Sequence, residues 1–225
     1  MAAPYNAAML DWNTLDTVLL DMDGTLLDLH FDNHFWLHHL PTRFAAINGI
    51  TVAEAKDDLY ARFKSREGTL NWYCVDFWSA ELGVDVVLLK QEVEHLIALH
   101  PHVLDFLAAV RRQGKRLVLV TNAHGKTLAL KFKHTRLGEH FDQVISAHSL
   151  GLPKEHPPFW DKLQGVAPFP PGRTLLIDDS LPVLRSAQHY GIRHLLAVRQ
   201  PDSKGPLKDG GDFRYLGSFR DIMPR

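Results

Sequence analysis

Short apolar strands alternate with helices along most of this chain, and that alternation restricts its fold more than any other feature. Residues 17–21 are apolar up to a final carboxylate, the pattern of a strand buried on both faces. Further strands are predicted at 116–120, 143–147, 174–178 and 193–198. Helices are predicted between them at 126–137, 158–166 and 182–190, the first and last stopped by Gly138 and Gly191. Crossovers of that length are right-handed, so the expectation is an α/β fold with a mainly parallel, Rossmann-like sheet and helices on both faces.

The alternation is interrupted once. From about residue 34 to about 99 the pattern shows four helical stretches and no strand. The second opens on the capping box Thr51-Val52-Ala53-Glu54 and continues with Ala55, Leu59 and Phe63 on one face. The third carries Trp72, Val75, Phe77 and Trp78, and the fourth is predicted over 86–99. A helix opening at Pro101 ends at Gly114 after the basic turn Arg111-Arg112. The expected organisation is therefore a core of 1–28 and 101–225 with an all-helical insert, 29–100. Residues 201–212 read as a surface loop, and the end of the chain as a short strand or helix.

Composition narrows the function classes. The 225 residues carry 25 Lys and Arg against 26 Asp and Glu, a net charge of -1, so there is no polycationic surface for nucleic acid or an anionic membrane. No window approaches the roughly 18 apolar residues of a membrane helix, and the N-terminus lacks a basic segment followed by an apolar one. Cys74 is the only cysteine, which forbids an internal disulfide and suits a reducing, cytoplasmic setting.

Polar residues gather at the strand ends: Asp21 and Asp23 before Gly24-Thr25, then Thr121-Asn122, then Lys154 after the third strand, then Asp178-Asp179. In an open α/β sheet this is the edge where ligands bind. Two carboxylates entering a glycine turn suit an aspartate that attacks phosphorus, a second that handles the proton, and a divalent cation between them. Each group alone has an ordinary reading. Asp21-Met22-Asp23 fits a solvated turn, Thr121-Asn122 and Asp178-Asp179 fit helix caps, and Lys154 fits a surface lysine. Their joint occurrence at one sheet edge points to a site.

The runs Val18-Leu19-Leu20-Asp21-Met22-Asp23-Gly24-Thr25, Leu117-Val118-Leu119-Val120-Thr121-Asn122, Lys154 and Leu175-Leu176-Ile177-Asp178-Asp179-Ser180 resemble the four motifs of the haloacid dehalogenase-like hydrolases. A narrower resemblance, to bacterial purine nucleotidases acting on GMP and IMP, rests on several shorter segments. These are Leu27-Asp28-Leu29, Phe31-Asp32-Asn33, Phe35-Trp36, Thr69-Leu70-Asn71-Trp72-Tyr73-Cys74, Thr121-Asn122-Ala123-His124 and Gly151-Leu152-Pro153-Lys154-Glu155. The resemblance implies a phosphomonoesterase with Asp21 as nucleophile and Asp23 as general acid and base, its pKa raised relative to that of Asp21. It implies phosphate binding by Thr121, Asn122 and Lys154. It also implies Mg2+, or another divalent cation in its place, held by Asp21, the Asp23 carbonyl and Asp179, with Asp178 supporting. Family members often carry a further acid four residues past the metal ligand. Val183 stands there, so that role falls to Asp178 or is absent.

The insert then becomes a cap that closes over the phosphate and selects the leaving group. Asn71, Trp72 and Tyr73 are its candidate substrate-binding patch, a flat ring with an amide for the 6-oxo group that guanine and hypoxanthine share, although for Trp72 itself a buried helix face is the favoured reading. His34 and His38 share a helix face with His39 beside them, but no Glu follows in zinc-protease spacing, and an exposed face is the expectation. Cys74, among aromatics, reads as a buried structural thiol rather than a nucleophile. The expected partner is a small phosphomonoester. Phosphatases of sugar phosphates or FMN, a phosphomutase, and a non-catalytic binder of a phosphometabolite are the alternatives. Asp23 argues against a dehalogenase, which needs no acid or base there.

Overall fold

A computed structural model describes residues 10–224 of the chain. Its centre is a sheet of β1 (Thr17–Leu20), β2 (Arg116–Thr121), β3 (Gln143–Ser146), β4 (Thr174–Asp178), β5 (His194–Val198) and β6 (Tyr215–Leu216). The spatial order is β3-β2-β1-β4-β5-β6, and every pairing is parallel. Successive side chains of β1 face opposite sides of the sheet. Val18 and Leu20 join one apolar cluster with Leu117, Leu119, Leu175 and Ile177. Leu19 joins the other with Val118, Val120 and Leu176. A strand buried on both faces has no polar position to spare, which accounts for the unbroken apolar run.

Helices α1 (His30–His34), α2 (Leu40–Asn48), α3 (Val52–Lys64), α4 (Val75–Leu82) and α5 (Val86–Gln91) all fall between β1 and β2, with a π-helical stretch, Phe35–His39, joining α1 to α2. They build a third apolar cluster from Phe31, Phe35, Phe44, Leu59, Phe63, Trp78 and Leu89. The Thr51 hydroxyl and the Glu54 carboxylate cap the start of α3 reciprocally, and Ala55, Leu59 and Phe63 are buried along it at four-residue spacing. Of the core helices, α6 (Val103–Arg112) covers one sheet face through Phe106, Leu107 and Val110. After α7 (Gly125–Thr135) and α8 (Ala147–Leu150), α9 (Pro158–Val166) and α10 (Leu181–Tyr190) cover the other. No helix among the described residues is long and apolar enough to cross a membrane.

Several predicted boundaries shift for identifiable reasons. The stretch predicted over 86–99 is helical only to Gln91, with a 3-10 turn at Glu94–Leu96. The chain must then be extended to re-enter the core. Asp28 donates to the Ala98 carbonyl at 2.9 Å, His100 donates to that of Leu26 at 2.9 Å, and Leu27 pairs with Leu99. Trp72 and Trp78 lie in separate elements, because Cys74 caps α4 after the 3-10 turn Leu70–Tyr73. The helix predicted from Pro101 starts at Val103, after His102 at φ 65. Residues 201–212 form neither helix nor strand, and the end of the chain supplies both β6 and a 3-10 turn, Phe219–Ile222.

Candidate active site

Asp21 leaves β1 with its N–H on the Ile177 carbonyl at 3.0 Å, which keeps it beside the end of β4. The chain then folds tightly back, Leu26 and Leu27 both donating to the Met22 carbonyl at 3.0 and 2.8 Å. Gly24 has φ +82, and a Cβ there would lie 2.8 Å from the Asp179 carboxyl carbon, so glycine alone lets this turn approach Asp179. At the end of β2, the Thr121 hydroxyl accepts the Ala123 N–H at 3.0 Å and turns the chain toward α7.

Lys154 joins the two halves of this edge. Its ammonium donates to Asp21 Oδ1 at 2.5 Å, Asp178 Oδ2 at 2.7 Å and the Val120 carbonyl at 3.0 Å, and the residue is 2% exposed. The Asn122 side chain secures the lysine loop: its Oδ1 accepts the Lys154 N–H at 3.0 Å, while its Nδ2 donates to Glu155 Oε2 at 2.9 Å. Tyr73, from the insert, donates its hydroxyl to Glu155 Oε1. Asp178 accepts from Lys154 and from the Ser180 N–H at 2.9 Å, whereas Asp179 accepts from Lys208 Nζ at 3.0 Å. Lys208 comes from the loop after β5, and nothing in its sequence neighbourhood sets it apart.

Burial pushes Asp21 up to about 6, with Lys154 opposing and Asp178 reinforcing. Asp178 and Asp179 are likewise pushed to about 6 by burial, each facing a neighbouring carboxylate. Although burial disfavours its charge, Asp178 and Asp21 hold Lys154 above the usual lysine range. Asp23 also stands at about 6.

Asp23 has a partner the sequence does not announce. Its Oδ1 accepts from Lys131 Nζ at 2.6 Å, and the same ammonium donates to Asp32 Oδ2 at 2.6 Å. Asp32 Oδ1 in turn accepts from Lys90 Nζ at 2.8 Å, and Lys90 lies 4.4 Å from the Phe35 ring centroid. Burial raises Asp23, against the pull of Lys131 and with the push of Asp32. Against burial, Lys131 and Lys90 hold Asp32 well below the usual carboxylate range. Lys131 lies on α7, one turn past the buried Thr127, and Asp32 and Lys90 belong to the insert. The line of charges thus crosses from core to insert, and only the folded chain brings it together.

Apart from Lys131 and Glu155, the side chains of these hydrogen-bonded groups line one cavity of about 810 Å³. Its lining includes Asp21, Asp23, Lys154, Asp178 and Asp179 with Thr121 and Asn122 from the core, and the aromatic residues Trp36, Phe63, Trp72 and Trp78 from the insert. Trp72 and Tyr73 line it, and Tyr73 is spoken for by Glu155. Asn71 is exposed and does not line it, so the structure does not bring the expected amide to the ring. Val183 is buried in the core and supplies no acid. His39 pairs with Glu92 at 2.8 Å, and the rings of His34 and His38 sit 5.7 Å apart. Cys74 is only partly buried, unlike the expected core thiol, because it caps α4 at the boundary with the core.

Among the described residues, Asp21, Asp178 and Asp179 offer carboxylate oxygens within 4.8 Å of one another, while the Asp23 carboxylate turns to Lys131. Comparison with known proteins agrees with this constellation. The family model for haloacid dehalogenase-like hydrolases matches residues 15–191. The GMP/IMP nucleotidase YrfG of Escherichia coli K12 is 41% identical over 213 residues, covering 95% of this chain and 96% of its own. A phosphoglycolate phosphatase of Pseudomonas fluorescens is 24% identical over 92% of this chain and 78% of its own. The crystal structure of a phosphatase from Thermococcus onnurineus superposes with a TM-score of 0.75 at 22% identity, covering 92% of this chain and 96% of that one, and so shares the fold. With its motifs assembled at one sheet edge, the chain belongs to the haloacid dehalogenase-like hydrolases.

Proposed function

We propose that this protein is a cation-dependent phosphomonoesterase that carries the phosphoryl group on Asp21, and that its substrates are the purine 5′-nucleotides GMP and IMP. One observation carries the reading: the Lys154 ammonium lies between Asp21 and Asp178 in a cavity that Asp23 and Asp179 also line. The choice of substrate draws on the 41% identical nucleotidase and on the aromatic residues that line the same cavity. Residues 29–100 act as the cap and the remainder as the catalytic core; of the core, 1–9 and 225 lie outside the described residues. The free thiol of Cys74 accords with a reducing cytoplasm.

The converging carboxylates are hard oxygen donors of one charge, a set that fits magnesium and other hard divalent cations. Asp21, Asp179 and the Asp23 carbonyl would hold the ion, with Asp178 supporting. When bound, it offsets the repulsion between phosphate and carboxylates. Asp21 attacks phosphorus as the bond to the ribose oxygen breaks, and Asp23 gives that oxygen its proton. The Asp23 carboxylate then takes a proton from water, whose oxygen attacks phosphorus and releases Asp21. Thr121 accepts from Ala123, so its own proton is free to donate toward the phosphate. Lys154 and the Asn122 backbone N–H complete the oxyanion contacts.

A carboxylate that titrates near pH 6 binds protons in competition with the cation. The melting-temperature gain on adding Mg2+ should therefore be larger at pH 7 than at pH 5, and thermal denaturation at both values measures it. An equal gain would place the cation elsewhere.

Lys131→Met removes the cation that positions Asp23. Nucleotide turnover is expected to fall about 100-fold, and p-nitrophenyl phosphate turnover by less, because its leaving group departs without a proton. Kinetics on both substrates check this, with Lys131→Arg expected to restore part of the loss.

The substrate itself is tested with a panel of nucleoside monophosphates, sugar phosphates and FMN. GMP and IMP should exceed the others by tenfold or more in kcat/KM, about 1.4 kcal/mol of transition-state preference. Trp72→Ala should raise KM for IMP while sparing p-nitrophenyl phosphate, and Asn71→Ala should alter neither. A tenfold preference for a sugar phosphate would overturn the nucleotide assignment.

A further inference from the structure

Cys74, His124 and His148 come from three distant segments and meet at the seam between insert and core. Cys74 caps α4 in the insert, His124 caps α7 after β2, and His148 lies on α8 after β3. One ligand atom from each lies within 4.8 Å of the other two. In tetrahedral zinc sites, with Zn–S near 2.3 Å and Zn–N near 2.0 Å, such atoms stand about 3.3–3.6 Å apart. Small side-chain adjustments close the difference.

Two further features point to a ligand. The Nε2 atom of His148 is buried and has no hydrogen-bond partner. A buried ring nitrogen without a partner is costly, and a cation would use its lone pair. Asp76, two residues past Cys74, places Oδ2 at 3.7 Å from His124 Nε2, and its other oxygen accepts from Lys126 Nζ at 2.7 Å. That carboxylate is a fourth ligand or an orienting neighbour. The Cys74 sulfur already accepts the Phe77 N–H at 3.4 Å, which fixes it toward the seam.

We propose that Cys74, His124 and His148 form a second cation site, selective for zinc, that fastens the helical insert to the core. Two imidazoles and a thiolate favour a borderline-soft ion over magnesium, whereas the all-oxygen cluster of Asp21, Asp178 and Asp179 has the opposite preference. Zinc binding thus restrains the insert over the cavity. The effect of this on turnover rests on the phosphatase reading; the site itself does not.

Cobalt(II) reports the site directly, because a thiolate ligand gives a sulfur-to-cobalt charge-transfer band and Cys74 is the only cysteine. The full-length protein in excess Mg2+ should develop that band to one cobalt per chain, and zinc should abolish it. Cys74→Ser should lose the band, and His148→Gln should weaken cobalt binding at least tenfold, with thermal melting confirming that both variants fold. Absence of the band in the unaltered protein, or unchanged affinity in His148→Gln, overturns the site. Zinc should also slow turnover in excess Mg2+, and less so in Cys74→Ser relative to that variant's own zinc-free rate. Equal zinc inhibition of both proteins, or inhibition of neither, overturns the fastening. If no substrate is turned over, the cobalt band still decides the site.

Discussion

Asp21→Asn is expected to abolish phosphate release, by about 10⁴-fold or more, while making the cation-free protein harder to unfold. The two effects share one cause. The Asp21 carboxyl is buried beside Asp178, and its pKa is pushed up to about 6. A carboxyl whose folded pKa lies above its unfolded value contributes fully to stability below about pH 4. That contribution is lost as pH rises through about 6, so at pH 7 the ionised group opposes folding. Asparagine keeps the shape, removes the charge and removes the nucleophile. Activity on IMP and thermal melting in chelator at pH 7 check both halves. A variant that loses activity and also melts lower would mean that Asp21 holds the fold together through Lys154.

Lys154→Met is expected to act in the opposite sense on stability. It leaves Asp21 and Asp178, 5% and 1% exposed, without their shared cation. Breaking a buried pair by removing one partner costs about 3–5 kcal/mol, and turnover should fall at least 100-fold with the loss of charge at the phosphate. Without the ammonium, the pKa values of both carboxyls rise further. The destabilisation should therefore be larger at pH 7, where they ionise, than at pH 5, where protons neutralise them. Unfolding midpoints at the two pH values measure the difference, and a pH-independent loss would assign Lys154 a packing role alone.

The candidate catalytic edge is legible in the sequence because each part sits within three residues of a strand end, or, for Lys154, in the loop after β3. Strand positions in a parallel sheet follow from apolar runs, and the sheet brings their ends together. What the sequence does not reveal depends on contacts between distant segments. Lys131 lies among Lys126 and Lys133 on an ordinary basic helix, and its burial exists only because Asp32 and Lys90 come across from the insert. The one local hint is Thr127, buried a turn earlier on α7. Lys208 reaches Asp179 from a loop whose composition reads as solvent-facing. Of the expected base-binding patch Asn71, Trp72 and Tyr73, the structure brings Trp72 and Tyr73 to the cavity and leaves Asn71 out, for a related reason. A 3-10 turn places Asn71 outside, and Glu155, from the lysine loop, claims the tyrosine hydroxyl. The gathering of Cys74 with two histidines is equally invisible, since the three residues share no spacing pattern.

The same contacts suggest how insert and core communicate. Tyr73 touches Glu155, which holds Asn122, and Asp32 touches Lys131, which holds Asp23. Asn122 and Asp23, proposed above to handle the phosphate and the proton, are thus each one intervening side chain away from the insert. Closing the insert over a nucleotide would set both groups at once, which places specificity and catalysis under one conformational step.

The central claim is that Asp21 carries the phosphoryl group. Acid quench during turnover of ³²P-labelled IMP, followed by borohydride reduction and peptide mass spectrometry, tests it most directly. A phosphorylated aspartate is reduced to homoserine, and the conversion should appear at position 21, only when IMP and Mg2+ are both present. Conversion at another residue, or continued turnover with no acid-stable label and no homoserine, would contradict it.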